Sequence, residues 1–507
     1  MATNLRWMAF GPMALLAALP LPAGAGPATP RGDVDTRAWW RETAELAGDA
    51  LEGRDTGSPG YDRAAALVAR RFAAAGLMPA GEGGGWLQPI AFDDLRVESA
   101  GTRFALAGHA IALDRELQVQ PDAATPSRLD VPATFRGTCG PDEIAGVGGR
   151  LVVCYGAPPP ARLAGFDRGA ALRRAGAAGM VTIAVPGLAS EPIRWPFAYS
   201  RSTVFAGTRP PAGAAFLAAR LSPAAFVRLV PGGAAILAEG HAGLHLTARE
   251  LGPFAATIRL TRRTITSANV LGLLPGTEPG LAGEVVVLSA HLDGYGRGEP
   301  VGGDAIYNGA LDDAAYVALL ERLAERRHGR AFRRPVLFAA FTGEEKGLLG
   351  SRWFVAHPTL GNRKFAANIN LDQVRPLYPL KLMTVHGLVE TTLGDEVRAV
   401  AAAQGIRVQE DPDPERHLVS RGDNWPFMRG SVPAASFVFA TYDARSLARY
   451  RDWYQRRYHH PADDLSTPID WQAAADFNRF FYALTEKVAD APVKPTWKAG
   501  FNPPTSE

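Results

Sequence analysis

The chain has little of three features that would each point to a particular class of protein. Only two of its 507 residues are cysteine, and neither lies near the histidine and carboxylate segments described below, so a thiolate metal site is not indicated. The net charge is only +3, which provides no concentrated basic face for nucleic acid. No segment after the N-terminus reaches the roughly 18 uninterrupted apolar residues that would span a bilayer. We therefore predict neither a nucleic-acid partner nor a membrane span.

The two cysteines, Cys139 and Cys154, leave two alternatives open. One is a disulfide, which would close a loop of about 15 residues and contribute on the order of 3 kcal/mol in the chain-entropy model. The other is a pair of unlinked, buried thiols.

The N-terminus has the pattern of a secretory signal peptide. Arg6 supplies a positive charge, residues 8–21 are mostly apolar, and Ala23-Gly24-Ala25 is a small-residue cleavage site. We expect residues 1–25 to be removed and the protein to work in the periplasm or outside the cell.

The rest of the composition and patterning is that of a globular α/β protein. Apolar residues make up 47% and charged residues 21% of the chain, and its length predicts two or three domains. Residues 119–250 are rich in Ala, Gly and Pro, with short strands and turns, and read as a β-rich inserted domain. From about residue 265, apolar strands alternate with helices. This alternation predicts a mostly parallel or mixed central sheet with helices on both faces.

Five short segments of the chain carry carboxylates or a histidine. They are S-A-H-L-D with His291 and Asp293, G-A-L-D-D-A with Asp312, F-T-G-E-E-K-G with Glu344 and Glu345, N-I-N-L-D with Asp372, and R-Y-H-H-P-A-D with His459. Apolar strands precede three of them. Because ligand sites of open α/β sheets lie beyond the carboxyl ends of the strands, these side chains are predicted to meet at one edge of one sheet.

The residue types point to a site for two divalent cations. Imidazole and carboxylate ligands without sulfur suit Zn²⁺, and also Mn²⁺ or Co²⁺. Two histidines and three carboxylates are enough for two ions if one carboxylate bridges them. Two ions about 3.5–4 Å apart can polarise a carbonyl group and lower the pKa of a shared water.

In this hypothesis the adjacent glutamates Glu344 and Glu345 have different roles. One binds metal, and the other stays free to take a proton from the water and pass it to the leaving amine. Asp293 lies two residues after His291 and is predicted to orient its imidazole.

The five segments resemble those of the M28 family of di-zinc metallopeptidases, most of which are aminopeptidases. The resemblance implies two zinc ions, peptide substrates and Glu344 as the general base. It also implies that Asp312 bridges the ions and that the Asp312–Asp313 peptide bond is cis. The implied metal ligands are His291, Asp312, Glu345, Asp372 and His459.

The resemblance also divides the chain. The insertion at 119–250 resembles a protease-associated (PA) domain, which splits the peptidase domain into an N-terminal part at 33–118 and a main part at 251–490. Residues 491–507 form a C-terminal tail.

Several alternatives stay open at this point. A glutaminyl-cyclase-like acyltransferase has a similar fold with one zinc, and the same family contains carboxypeptidases and dipeptidases. A receptor-like binding protein is the alternative without catalysis. His460, next to His459, is a second candidate ligand, and Tyr454 or Tyr458 could serve the oxyanion or pack in the core. The sequence indicates neither the preferred substrate side chain nor the oligomeric state.

Overall fold

The structure is a computed structural model that describes residues 31–156, 166–185, 195–208, 215–372 and 374–504. The predicted signal peptide at 1–25 lies outside these residues. Across the described ranges, none of the helices combines the length and the apolar character needed to cross a bilayer.

Helices and strands occur along the whole described chain. The helices are α1 Val34–Leu46, α2 Pro59–Ala74, α3 Arg168–Arg174, α4 Pro223–Leu229, α5 Gly233–His241, α6 Ala315–Arg327, α7 Leu349–Ala356, α8 Thr392–Ala403, α9 Asn424–Arg429, α10 Ala444–Arg456 and α11 Trp471–Ala489. The strands are β1 Met78–Pro79, β2 Leu87–Val97, β3 Arg103–Leu106, β4 His109–Ile111, β5 Leu117–Val119, β6 Arg128–Phe135, β7 Leu151–Tyr155, β8 Gly179–Ile183, β9 Arg201–Phe205, β10 Leu217–Leu221, β11 Arg249–Thr257, β12 Leu260–Leu274, β13 Glu284–His291, β14 Gly296–Val301, β15 Asp304–Tyr307, β16 Val336–Phe341, β17 Lys364–Asn370, β18 Leu382–His386, β19 Arg407–Gln409 and β20 Ala434–Phe439.

The main sheet is mixed, with a parallel centre. Its strand order is β19-β18-β20-β17-β13-β16-β12-β2-β9, with β1 paired to β12. Strands β20, β17, β13 and β16 run parallel to one another, whereas β18 and β12 are antiparallel to their neighbours in this central group. The predicted mostly parallel or mixed sheet is confirmed.

Helices cover both faces of this sheet, which explains why its central strands are apolar throughout. Val286 and Leu288 of β13 pack into a core shared with α2, α6 and α11. Val285 and Val287 point the other way, into a core with residues of α7 and α9. Because side chains alternate between the two faces of a strand, both sets must be apolar when both faces are covered.

A second sheet, with the order β4-β3-β11-β6-β7-β8-β10-β5, lies outside the main one. Its strands run from Arg103 to Thr257, so the sheet begins before residue 119, where the insertion was expected to start. Conversely, β9 belongs to the edge of the main sheet, although it lies in the middle of the expected insertion. Residues 119–250 therefore contribute to both sheets. Their resemblance to a PA domain stays a prediction.

The two cysteines form a disulfide. Cys154 lies on β7 and Cys139 in the loop after β6, and both are buried beside Leu172 and Phe216. The sequence left a disulfide and two unlinked thiols as alternatives, and the structure contains the disulfide.

Candidate metal centre

Three neighbouring parallel strands deliver the first part of the site. His291 is the last residue of β13, Glu344 and Glu345 follow β16, and Asp372 follows β17. Since β17, β13 and β16 are adjacent and parallel, their carboxyl ends lie at one edge of the sheet. This is the edge at which the sequence predicted a site.

Two loops bring the remaining side chains to the same edge. Asp312 lies in the irregular helical turn Ala310–Ala314, which leads into α6, and its peptide bond to Asp313 is cis. His459 lies between α10 and α11 and has a left-handed backbone, with φ of 56°. Asp312 is almost fully buried, whereas 21% of the His459 side chain is exposed.

Asp312 stands between the two histidines. Its Oδ1 lies 3.3 Å from Nε2 of His291, and its Oδ2 lies 3.1 Å from Nε2 of His459. The same nitrogen of His459 lies 3.5 Å from Oε1 of Glu345. One carboxylate thus faces both imidazoles, one oxygen towards each.

The donor atoms form overlapping groups in which all members lie within 4.8 Å of one another. The groups are His291 with Asp312 and Asp372, Asp312 with Glu345 and His459, and His291 with Glu344 and Glu345. The first two groups share Asp312. Nitrogen and carboxylate donors in two groups with one common member suit two Zn²⁺ ions joined by a carboxylate. All five predicted ligands are therefore brought together.

The site is buried and rich in carboxyl groups. Burial and the charge of Asp312 raise the pKa of Glu345 to about 8. Burial also raises the pKa of Glu344 well above its usual value; His291 opposes the shift, and Asp372 adds to it. Several buried carboxylates so close together are unfavourable unless cations compensate them. The crowding of buried carboxyl groups thus agrees with the cation sites that the donor atoms indicate.

Asp312 differs from the glutamates. Burial acts to raise its pKa, but hydrogen bonds with His291 and His459 and the charge of Arg375 hold it well below its usual value. The guanidinium of Arg375 is buried, with Nη2 at 3.7 Å from Oδ1 of Asp312. The surroundings of Asp312 therefore favour its ionised form, unlike those of the two glutamates.

The imidazole of His291 is oriented by a backbone group. Its Nδ1 lies 2.9 Å from the carbonyl oxygen of Asp293 and donates to it, so Nε2 is the nitrogen that would bind a cation at this site. The Asp293 carboxylate is 3.9 Å from the same nitrogen and has other partners. It accepts hydrogen bonds from the backbone N–H of Glu344 at 3.0 Å and from the hydroxyl of Thr56 at 3.1 Å. Asp293 thus holds the imidazole through its main chain and the glutamate turn through its side chain.

His459 is held in a similar way from the opposite side. The hydroxyl of Tyr295 lies 3.0 Å from its Nδ1, and its Nε2 faces Asp312 and Glu345. The neighbouring His460 belongs to none of the donor groups found among the described residues.

Comparison with known proteins adds the family. A model of peptidase family M28 matches residues 269–485, which include all seven predicted site residues. This segment is an M28 peptidase domain. The match makes the chain a metallopeptidase, and thus a hydrolase. A search of curated proteins gave no match.

Several solved structures are similar to the chain over nearly its full length. An aminopeptidase from Aneurinibacillus sp. strain AM-1 superposes with a TM-score of 0.61 at 16% identity, covering 92% of this chain and 97% of that one. BSAP, a zinc aminopeptidase from Bacillus subtilis, gives 0.59 at 16% identity, covering 89% and 94%. An M28 peptidase precursor from Shewanella amazonensis SB2B gives 0.53 at 17% identity, covering 90% and 97%. At these identities the likeness shows a shared fold.

A cavity of about 230 Å³ opens beside the donor groups of the M28 domain. Besides Asp312, Glu344, Glu345, Asp372 and His459, its walls are formed by His386, Leu418, Arg421, Gly422, Asn424, Ser436, Tyr454 and Tyr458. Both tyrosines considered for the oxyanion therefore reach the cavity. Asn424 also contributes to the wall, and its side-chain amide donates to the carbonyl oxygen of Val419 at 3.0 Å.

Sequence reasoning missed three residues around this M28 site. His386 lies in the cavity wall with Nδ1 at 2.9 Å from the hydroxyl of Ser436. Arg375 and Tyr295 contact ligand candidates directly. None of the three belongs to a recognisable motif. His386 reaches the cavity because β18 pairs with β20, a pairing that no local pattern encodes.

Proposed function

We propose that the chain is a di-zinc aminopeptidase that removes the N-terminal residue of peptides. The observation that carries the proposal is the position of Asp312, which joins two donor groups by facing His291 with one oxygen and His459 with the other. In this proposal His291 and Asp372 hold one ion, Glu345 and His459 hold the second, and Asp312 lies between them. When bound, such a pair of ions lowers the pKa of water and polarises the carbonyl group of the substrate.

Glu344 is the proposed general base. Its carboxylate lines the cavity, with Oε2 at 4.0 Å from Nε2 of His291. Its backbone is fixed by the hydrogen bond to Asp293, so the carboxylate is held at the cavity wall. From there it takes a proton from the attacking water and passes it to the nitrogen of the leaving amine. Glu345, within 3.5 Å of His459, is the ligand of the pair.

The size of the cavity supports cleavage at a chain end. Its volume of about 230 Å³ is below the roughly 300–1,000 Å³ of sites for drug-sized ligands. Two of the structurally similar proteins are called aminopeptidases, which agrees with this assignment.

The experiment combines metal analysis and substrate turnover on one preparation of the full chain. We expect two zinc ions per chain and release of p-nitroaniline from amino-acid anilides. Acetylation of the substrate amine is the control and should abolish release. Peptides with an amidated C-terminus should still be cleaved, which distinguishes an aminopeptidase from a carboxypeptidase. One zinc with cyclisation of N-terminal glutamine would instead assign the acyltransferase.

We also propose that the protein acts in the periplasm or outside the cell. The Cys139–Cys154 disulfide supports this location, because disulfides persist mainly in oxidising compartments. Cell fractionation and N-terminal sequencing test it. We expect a mature chain that begins near Gly26, and an intact N-terminus in the cytosolic fraction would contradict the proposal.

A further inference from the structure

The turn that carries Glu344 and Glu345 has a third member with an unusual environment. Lys346 follows them directly, and only 5% of its side chain is exposed. Its ammonium group lies 2.6 Å from the hydroxyl of Tyr199 and 3.3 Å from Oδ1 of Asp55. It also lies over the rings of Tyr199 and Tyr295, 5.2 Å and 5.0 Å from their centroids. A lysine buried this deeply must have partners, and here it has them on several sides.

The backbone of this turn is irregular. Gly343 and Gly347 flank the turn with φ of 67° and 103°, and Leu348 has φ of 59°. These left-handed positions separate the turn from β16 and from α7, so neither regular element extends into it. The contacts that tie it to other parts of the protein include the hydrogen bond from the Glu344 N–H to Asp293 and the hydrogen bond from the Lys346 ammonium to Tyr199.

The partners of Lys346 are themselves fixed. Arg201 pairs with both Asp55 and Asp94, so the carboxylate that faces Lys346 is held on its other side. Lys346 and Arg201 balance the two aspartates, which leaves this buried group of four charges neutral. Such a balanced group resists displacement of any one member, because the others would be left uncompensated.

Tyr199 and Arg201 come from the inserted part of the chain. The hydroxyl of Ser200, between them, donates to Asp114 at 2.5 Å and accepts from the backbone N–H of Val119 in the second sheet. Arg201 begins β9, which pairs with β2 in the main sheet. Residues 198–201 therefore connect the second sheet to the glutamate turn.

We propose that Lys346 is a positioning residue. Through its hydrogen bond to Tyr199 and its ion pair with Asp55, it fixes the turn that carries Glu344 and Glu345. It follows that residues 198–201 help to position the glutamates of the active site. The catalytic side of this inference rests on the proposed function, whereas the placement of the turn does not.

The kinetic test uses Lys346→Met and Tyr199→Phe, with Lys364→Met as a matched control at an exposed lysine of β17. Because small misplacements of catalytic groups reduce rates strongly, we expect Lys346→Met to lower kcat by about 10–100-fold with KM changed less than about twofold. The effects of the two variants should not add, because both break one contact. In a Glu344→Gln background, Lys346→Met should lower kcat by a smaller factor than in the parent, because the part of its effect that acts through Glu344 is already lost. Additive losses, or a full further loss in that background, would overturn the proposal.

A second measurement is independent of activity. Hydrogen–deuterium exchange reports on the amides of residues 343–350, which include the Glu344 N–H bonded to Asp293. Lys346→Met should accelerate exchange in this peptide and leave helix α6 unchanged, whereas Lys364→Met should change neither. Unchanged exchange in Lys346→Met would overturn the positioning role. Faster exchange in a protein that cleaves no peptide would uphold that role and refute the proposed function instead.

Discussion

Replacing Tyr295 by Phe should weaken the binding of one of the two proposed zinc ions and leave the binding of the other unchanged. The hydroxyl of Tyr295 lies 3.0 Å from Nδ1 of His459, whose Nε2 faces Asp312 and Glu345. When Nε2 binds a cation, Nδ1 carries the proton of the ring and donates a hydrogen bond to the tyrosine oxygen. The phenylalanine keeps the ring and removes only this acceptor.

The size of the effect follows from the exposure of His459. Losing a hydrogen bond behind a metal-binding imidazole typically costs 10–100-fold in metal affinity, or about 1.4–2.8 kcal/mol. Because 21% of the His459 side chain is exposed, water can replace part of the lost bond. We therefore expect the lower part of this range, about 10–30-fold. Competition with a chromophoric chelator measures the two successive zinc dissociation constants, and only one of the two should change.

Tyr307→Phe is the matched control for this variant. Its hydroxyl donates to the carbonyl oxygen of Glu299 at 2.8 Å, and Tyr307 belongs to none of the donor groups. Tyr307→Phe should leave both zinc affinities unchanged. If Tyr295→Phe lowered the affinity for both ions equally, or lowered neither, the assignment of His459 to one ion would be refuted.

Three further predictions concern other parts of the chain. Glu344→Gln should retain both zinc ions and lower kcat by about 10²–10⁴-fold, since it removes a general base; zinc loss in this variant, but not in Glu345→Gln, would mean that the glutamates exchange roles. Burial raises the pKa of Asp114 to about 6, so the folded state holds a proton that the unfolded state has released, and stability falls as pH rises from about 4 to 6. Asp114→Asn lacks this penalty, and its stability relative to the parent should rise over that pH range by up to about 3 kcal/mol and stay level above it, as measured by urea unfolding; a pH-independent difference would contradict the reasoning. Replacing Cys139 and Cys154 by Ser should cost about 3 kcal/mol of unfolding free energy and leave kcat unchanged, because the disulfide lies in the second sheet.

The edge at which the site lies could be predicted because it depends on local pattern. Apolar runs mark strands, and polar residues at the ends of parallel strands must share one edge. His291, Glu345 and Asp372 follow directly from this rule. Asp312 and His459 lie in loops, and their place in the site came from the resemblance to the M28 family.

The contacts that hold the site could not be predicted, because they join distant parts of the chain. Tyr199 and Lys346 are 147 residues apart, and Tyr295 and His459 are 164 apart. No periodicity or motif relates them. Asp293 shows a different difficulty: its spacing from His291 was correct, but the strand exit turns its carbonyl oxygen, rather than its carboxylate, towards the imidazole.

The extent of the insertion was likewise beyond local pattern. Strand β3 belongs to the second sheet because it pairs with β11, about 150 residues later, and β9 belongs to the main sheet because it pairs with β2. The expected boundaries at 119 and 250 followed composition, which does not report such pairings.

Anomalous diffraction at the zinc edge from crystals of the zinc-loaded protein tests the central claim most directly. We predict two peaks about 3.5–4 Å apart with the Asp312 carboxylate between them, His291 and Asp372 at one peak, and Glu345 and His459 at the other. A single peak, or a pair of peaks away from Asp312, would contradict the account.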